Sequence, residues 1–234
     1  SGWGSWEIMG RLTPSGRLLA VDDENVYGYA RKPEFLSEST VLEYQLYAAA
    51  KSSKEEDIKR VNKPIFGAPK PKSSTAAAKP KVKTAPKPKA KAGMMMNMPK
   101  SFIATGDWKL RQGIPKADQS ALSYKWQVDK PDIQVRALVV ADKTLFIAGP
   151  PDVVDEEEAF FAMDDEEILG KLREQSDLLK GKDGGRLWAV STQTGEKLAE
   201  YKLDSLPVWD GMIAANSRLY MTTMDGDITC FAEN

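Results

Sequence analysis

Val135 to Gly149 reads VRALVVADKTLFIAG: an apolar run, a polar turn at Asp142-Lys143, and a second run centred on Phe146. Two such runs joined by a short polar turn are the signature of a β-hairpin. Two other segments have the same form, Gly16 to Tyr29 (GRLLAVDDENVYGY) and Trp209 to Met224 (WDGMIAANSRLYMTTM). The three align without gaps. Val26-Tyr27, Leu145-Phe146 and Leu219-Tyr220 share one place, and Ala20-Val21, Val139-Val140 and Ile213-Ala214 share another. Asp22, Ala141 and Ala215 begin the three turns. A recurring hairpin points to a repeat architecture. The spacings between Val26, Leu145 and Leu219 are 119 and 74 residues, so long insertions are expected inside the repeats.

Two further strands are expected between the second and third hairpins, Gly185 to Val190 (GRLWAV) and Lys197 to Leu203 (KLAEYKL). The link STQTGE places Gly195 where a turn needs positive φ. After the third hairpin, Asp225-Gly226 is a tight-turn signal leading into DITCF. Strand-turn-strand units at this density argue for antiparallel sheets in a sandwich, barrel or propeller.

Two segments break the pattern. From about Ser52 to Pro99, Lys, Pro and Ala dominate, as in GAPKPKSSTAAAKPKVKTAPKPKAKAG. Proline blocks helix and sheet interiors, and little apolar mass offsets the ordering entropy. A disordered, extended tether is expected. Pro150 to Gly184 opens with PPDVVDEEEAFFAMDDEE and continues ILGKLREQSDLLKGKDGG. Asp164 with Glu167 resembles a capping box, and Ile168, Leu172 and Leu179 fall near one helical face, with Leu169 and Leu178 beside it. One amphipathic helix is expected there, ending near Gly181 and lying against a sheet edge.

Composition removes several chemistries. The chain has no histidine, so histidine-based catalytic triads and imidazole metal sites are excluded. One cysteine, Cys230, excludes an internal disulfide and a multi-cysteine zinc site. No apolar run reaches the roughly 18 residues needed to span a bilayer. The net charge of −1 gives no overall attraction to nucleic acid or anionic membrane. The chain begins at Ser1, followed by Trp3, Trp6, Ile8 and Met9, and is expected to be a piece of a longer protein.

Leu187 to Glu196 reads LWAVSTQTGE, which resembles the repeat of the pyrroloquinoline-quinone (PQQ)-like β-propellers, Ala-x-Asp-x-x-x-Gly-Lys-x-x-Trp. Ala189 and Gly195 match it. Ser191 stands where the family usually has Asp, Glu196 where Lys is common, and Ala199 where the docking Trp would be. LPVWDG (Leu206 to Gly211) and SRLY (Ser217 to Tyr220) follow in the family's order. The resemblance covers the last hundred residues or so well and Gly16 to Tyr29 moderately.

The resemblance implies an all-β fold, a partial β-propeller of four-stranded antiparallel blades. Propeller strands are expected over residues 1–50 and a disordered basic insertion over 51–100. Further blades fill 101–234, with the acidic, helical insertion at about 150–184. Gly16 to Tyr29 starts a blade that Leu122 to Val128 completes beyond the tether. Val135 to Gly149, Gly185 to Val190 and Lys197 to Leu203 form the next. Trp209 to Phe231 gives three strands of the last, its fourth coming from elsewhere. An incomplete ring would leave open edges and apolar faces, so the chain alone should aggregate or be unstable. Trp188, Ala189, Gly195, Glu196, Trp209, Gly211, Tyr220 and Gly226 are the repeat-motif positions, with structural roles.

Family members that bind the quinone stack it on a Trp and use a disulfide of adjacent cysteines with Glu, Asn and Asp around Ca²⁺. This chain offers Trp188 and Trp209 but no cysteine pair. A non-catalytic binding scaffold is therefore expected, presenting a partner or the rest of its own ring. The alternative is the C-terminal part of a PQQ-dependent oxidoreductase. The resemblance also implies a periplasmic or extracellular location in a bacterium.

Other motifs read as local structure. Asp22-Asp23-Glu24, Asp225-Gly226-Asp227 and Asp155 to Glu158 could offer oxygens to Ca²⁺, but none matches an EF-hand loop, and turns favour Asp for local hydrogen bonds. Ile58 to Gly106 holds twelve Lys or Arg and no acid. It could condense on a polyanion, or on the nine acids of Asp152 to Glu167, although a solvated spacer is the plainer reading. It lacks aromatics for base stacking, with Phe66 and Phe102 only at its margins. Met94-Met95-Met96-Asn97-Met98 could offer thioethers to Cu(I), or simply form an apolar patch.

Overall fold

The computed structural model describes residues 13–32, 35–36, 39–40, 44–61, 120–162 and 164–232. Their backbone forms three antiparallel sheets, each following the chain in order.

The first sheet contains β1 (Leu18–Val21), β2 (Asn25–Arg31), β5 (Tyr44–Ala50) and β6 (Tyr124–Asp129), in the order β1-β2-β5-β6. Between β2 and β5, the two-residue strands β3 (Phe35–Leu36) and β4 (Ser39–Thr40) pair with each other. The resemblance puts β1, β2 and β6 together, and they share one sheet. The sequence patterns do not single out β5, YQLYAAA, whose three alanines weaken the strand signal. Pairing of β5 with β6 brings together segments separated by the whole basic insertion.

The second sheet runs β7 (Ala137–Ala141), β8 (Thr144–Gly149), β9 (Gly185–Ser191), β10 (Lys197–Leu203). The third runs β11 (Pro207–Ala215), β12 (Arg218–Thr223), β13 (Ile228–Ala232). The three expected hairpins close where the alignment puts them, at Val21↔Val26, Ala141↔Thr144 and Ala215↔Arg218. Asp142 and Asn216 hold equivalent turn positions with φ of 51° and 52°, a region that Asp and Asn tolerate better than most residues.

Side-chain alternation explains the continuous apolar runs. On β8 and β9, Leu145, Ile147, Trp188 and Val190 enter the core shared with the first sheet. Ala148 and Leu187, with Phe146 packed beside them, enter the core shared with the third. A sheet covered on both faces needs apolar residues at successive positions rather than alternate ones. The first strand of the second sheet, β7, lies beside both β1 and β11.

Segments outside the sheets depart from the sequence reading in four ways. First, residues 55–61 of the stretch expected to be disordered form a helix, α1 (Glu55–Val61). Acids fill its first turn and Lys59 and Arg60 its last, matching the helix dipole. Lys59–Glu55 at 3.0 Å and Arg60–Asp57 at 2.7 Å add paired charges, and Val61 is buried. The rest of that insertion lies outside the described residues. Second, the acidic insertion makes two helices, α2 (Glu156–Phe161) and α3 (Glu166–Leu179).

Third, α3 is capped by Asp165 rather than Asp164, its carboxylate accepting from the Glu167 and Ile168 N–H groups. The end of α3 is a Schellman turn: Gly181, φ 95°, donates to the Leu178 carbonyl, and Lys182 to the Asp177 carbonyl. Fourth, the face that α3 buries is Ile168, Gln175 and Leu178, and Leu172 is exposed. The reason is Gln175, whose amide accepts from Val153 N–H at 2.8 Å and donates to the Pro151 carbonyl at 3.1 Å. That polar clamp turns the helix and seats it across the end of the second sheet. There Arg136, just before β7, donates to the Leu179 carbonyl.

Candidate functional site

Four repeat-motif residues, Trp188, Ala189, Gly195 and Glu196, lie on the second sheet near its joint with the first. Gly195 sits in the β9–β10 turn with φ 75°. A Cβ there would lie 2.6 Å from the Trp126 ring, so the turn needs glycine for both its conformation and its neighbour. Trp126, on β6, rests its indole against this glycine and donates from Nε1 to the Thr192 carbonyl at 2.8 Å. It is buried, with Tyr27 at 6.3 Å between ring centroids. The Ser191 hydroxyl accepts from the Gln193 and Thr194 N–H groups at 3.3 Å each and so ties the turn to its strand. Glu196 is exposed at the end of the turn.

Register exposes an internal equivalence. Trp126 pairs with Ala48 across β5 and β6, and Ala199 pairs with Ala189 across β9 and β10. Ala199 therefore holds in the second sheet the place that Trp126 holds in the first. Trp188 is buried in the core, with Lys197 Nζ 4.2 Å from its ring centroid.

The remaining motif residues lie in the third sheet. Trp209 and Gly211 belong to an irregular stretch of β11 between Pro207 and Met212. Trp209 is half exposed, and the Arg17 guanidinium lies 4.8 Å from its ring centroid and 5.5 Å from that of Tyr44. One cation thus joins the first and third sheets beside β7, a contact worth about 0.5–1 kcal/mol at an exposed site. Tyr220 is half-buried on β12 opposite Cys230, and Gly226 forms the β12–β13 turn at φ 91°. The motif residues are therefore not gathered into one pocket; Gly195 with Trp126, Trp188 in the shared core and Trp209 with Arg17 each touch a neighbouring sheet.

The acidic turns are occupied locally. Asp22 accepts from the N–H groups of Glu24 and Asn25 at 2.8 and 2.7 Å and from the Tyr27 hydroxyl at 2.7 Å. Desolvation opposes its ionisation, but hydrogen bonds from Tyr27 and Asn25 outweigh that and hold its carboxyl far below the usual range. Tyr27 is pushed up to about 12 by desolvation and by Asp22. Asp155 caps α2 and pairs with Lys130 at 2.7 Å. Asp225 and Asp227 flank the Gly226 turn, where Thr223 donates to the Asp227 carbonyl at 2.9 Å. Among the described residues no group of three or more acids, histidines and cysteines is placed to hold a metal ion. The methionine run and most of the basic insertion lie outside the described residues.

The sequence reading missed a cleft of about 250 Å³ where the acidic insertion meets the first sheet. Tyr44, Lys130, Asp132, Asp152 and Glu156 are among its walls. Asp152 is shifted upward by burial, against hydrogen bonds from Gln134 at 3.2 Å and from the Val154 N–H. Tyr29, stacked on Tyr44 at 4.7 Å, is buried with its hydroxyl unpartnered, and burial followed by the field of Asp152 raises it strongly. With Asp132, Asp152, Asp155 and Glu156 facing one lysine, Lys130, such a cleft suits a polar or cationic group. Its walls come from segments 100 or so residues apart, which no local pattern announces.

No family model matches the chain, and a search of curated proteins finds no match.

Proposed function

We infer that the chain is part of a PQQ-like β-propeller that serves as a non-catalytic scaffold, presenting a partner through its insertions. The observation that carries this reading is the Trp126–Gly195 contact, an indole seated on the turn glycine of the next sheet with its N–H on the Thr192 carbonyl. That is the contact the repeat's Trp and Gly positions call for. The placement of β1, β7 and β11 beside one another supports radial packing, in which the first strand of each blade is innermost.

The third sheet supports the same reading from its unfilled side. Ile213, Tyr220 and Cys230 are the counterparts of Ala20, Tyr27 and Ala48 by alignment and register. Tyr27 and Ala48 are buried by the second sheet, whereas Ile213 is 62% exposed and Ile228 72%. Strand β13 has no partner on its outer side among the described residues. A further sheet of the same kind would cover that face and pair that edge, and the ring would supply it.

Two measurements test the reading. Tryptophan fluorescence of the intact protein, titrated with PQQ and Ca²⁺, should show no saturable quenching, and dye-linked alcohol or sugar oxidation should be absent. Tight quinone binding with turnover would replace the scaffold by a quinoprotein oxidoreductase. An experimental structure of the intact protein should show the first strands lining a common axis; sheets stacked without one would overturn the propeller.

A further inference from the structure

The cleft between the turn after β6 and the chain entering α2 has a fixed frame. Ile133 bridges Pro151, the Asp152 N–H donates to the Asp132 carbonyl at 3.2 Å, and Lys130 meets Asp155 at 2.7 Å. Within this frame the side chains of Tyr44, Asp132 and Asp152 face a space of about 250 Å³. We propose that this cleft binds a primary alkylammonium ion. The argument rests on the walls of the cleft and not on the function proposed above.

Three features set the chemistry of the ligand. The first is charge. Lys130 is taken by Asp155, while Asp132 and Asp152 make no ion pair among the described residues. Asp152 is half-buried, and burial and then the charge of Asp132 oppose its ionisation against hydrogen bonds from Gln134 and the Val154 N–H. A cation between the two carboxylates relieves both costs. The second feature is the Tyr44 ring, which already draws the Arg17 and Arg31 guanidiniums to 5.5 and 5.7 Å from its centroid. Neither arginine lines the cleft. A ring wall favours an organic cation, and among the described residues no group of three or more acids is placed to hold a metal ion. The third is Tyr29, 1% exposed and stacked on Tyr44 at 4.7 Å, with its hydroxyl unpartnered. Burial raises that hydroxyl first, and then the charges of Asp152, Tyr44 and Glu156, all walls of the cleft. The oxygen therefore faces the acidic side. An ammonium brings three donors, matching Asp132, Asp152 and this oxygen. The space is smaller than the roughly 300–1,000 Å³ of drug-sized sites, so the ligand is a short-chain amine or a single lysine side chain.

n-Butylammonium is the probe and n-butanol its uncharged control, titrated into the intact protein at constant ionic strength and about pH 7, where the amine is charged. Backbone-amide NMR follows both. Binding of the amine at roughly 1–10 mM is expected for so small a ligand, with shifts confined to Tyr44, Asp132 and the chain from Asp152 to Glu156. Butanol should leave these signals in place. Asp152→Asn should weaken the amine about ten-fold or more, and Asp132→Asn and Tyr29→Phe several-fold each. Scattered shifts, or none up to about 100 mM, ten times the weakest expected dissociation constant, would overturn the site. So would equal shifts from butanol, or unchanged binding in both aspartate variants. Should Asp152→Asn not fold, Asp132→Asn, on an exposed side chain, decides. Calcium giving the same shifts at lower concentration would replace the amine by a metal ion and overturn the proposal. Nα-acetyl-lysine amide separates the two sources of the ammonium: binding tighter than butylammonium supports a peptide lysine, and weaker binding supports a free amine.

Discussion

Two joints hold the three sheets together, and matching positions build them differently. Between the first and second sheets, Tyr27, Ala48 and Trp126 meet the Gly195 turn, and the corner is closed by a hydrogen-bonded indole. Between the second and third, Phe146, Ala189 and Ala199 occupy the same places, and among the described residues no indole there stands against a turn glycine. Burying a large aromatic at a joint contributes several kcal/mol, so the first joint should hold firmly. The second relies on the aliphatic contacts of Ala137, Ala148, Leu203, Met212 and Met221. The difference teaches that equal backbone pairing does not mean equal coupling between sheets: one side chain decides whether two repeats act as a unit.

Several substitutions would break or sharpen this contrast. Trp126→Ala should cost the most, about 3–5 kcal/mol, through a large cavity and an unpaired Thr192 carbonyl. Urea unfolding would measure it. A loss under about 1 kcal/mol would mean the indole is not what couples the first two sheets. Gly195→Ala should cost about 2 kcal/mol, combining a left-handed backbone with a Cβ pressed into the indole. Placed in Trp126→Ala, it should cost clearly less, because the clash is gone; a double-mutant cycle gives that coupling.

The smallest effect concerns the Asp22 turn at the first joint. Its carboxyl ionises more readily in the folded chain than at the ordinary value of 3.8. A group with a depressed folded pKa adds stability above its unfolded pKa and loses it as pH falls through the folded value. Asp22→Asn should therefore lower stability modestly at pH 7 and flatten the loss below about pH 4. A parallel pH profile in the variant would remove Asp22 from the account.

Much of the sheet framework was legible because hairpins are local. VRALVVADKTLFIAG carries its own turn, and so do its two counterparts. The union of β6 with the first sheet was legible too, since Leu122 to Val128 had no other strand to complete. What escaped depends on contacts far apart in sequence. The motif has Ala199 where the family carries its docking Trp, and nothing local pointed to Trp126, whose indole reaches Gly195 from the other sheet. The seating of α3 is set by Gln175 gripping Pro151 and Val153, so Ile168 and Leu178 of the expected face are buried while Leu172 turns to solvent. Strand β5 was hidden by alanines that only burial on both sides explains.

The antiparallel windings also decide where the insertions leave. Ala50 leads into α1 at the end that carries the hairpin turns, where Lys51 N–H donates to the Glu24 carbonyl at 3.3 Å. Gly149 leads into α2 and α3 at the other end, beside Lys130. The intervening strands, such as the seven residues of β5, measure about 23 Å, well beyond the roughly 8 Å over which salt lets charges feel one another. The near-neutral total thus hides an acidic insertion that leaves the strands at the end opposite to that where the lysine-rich one begins.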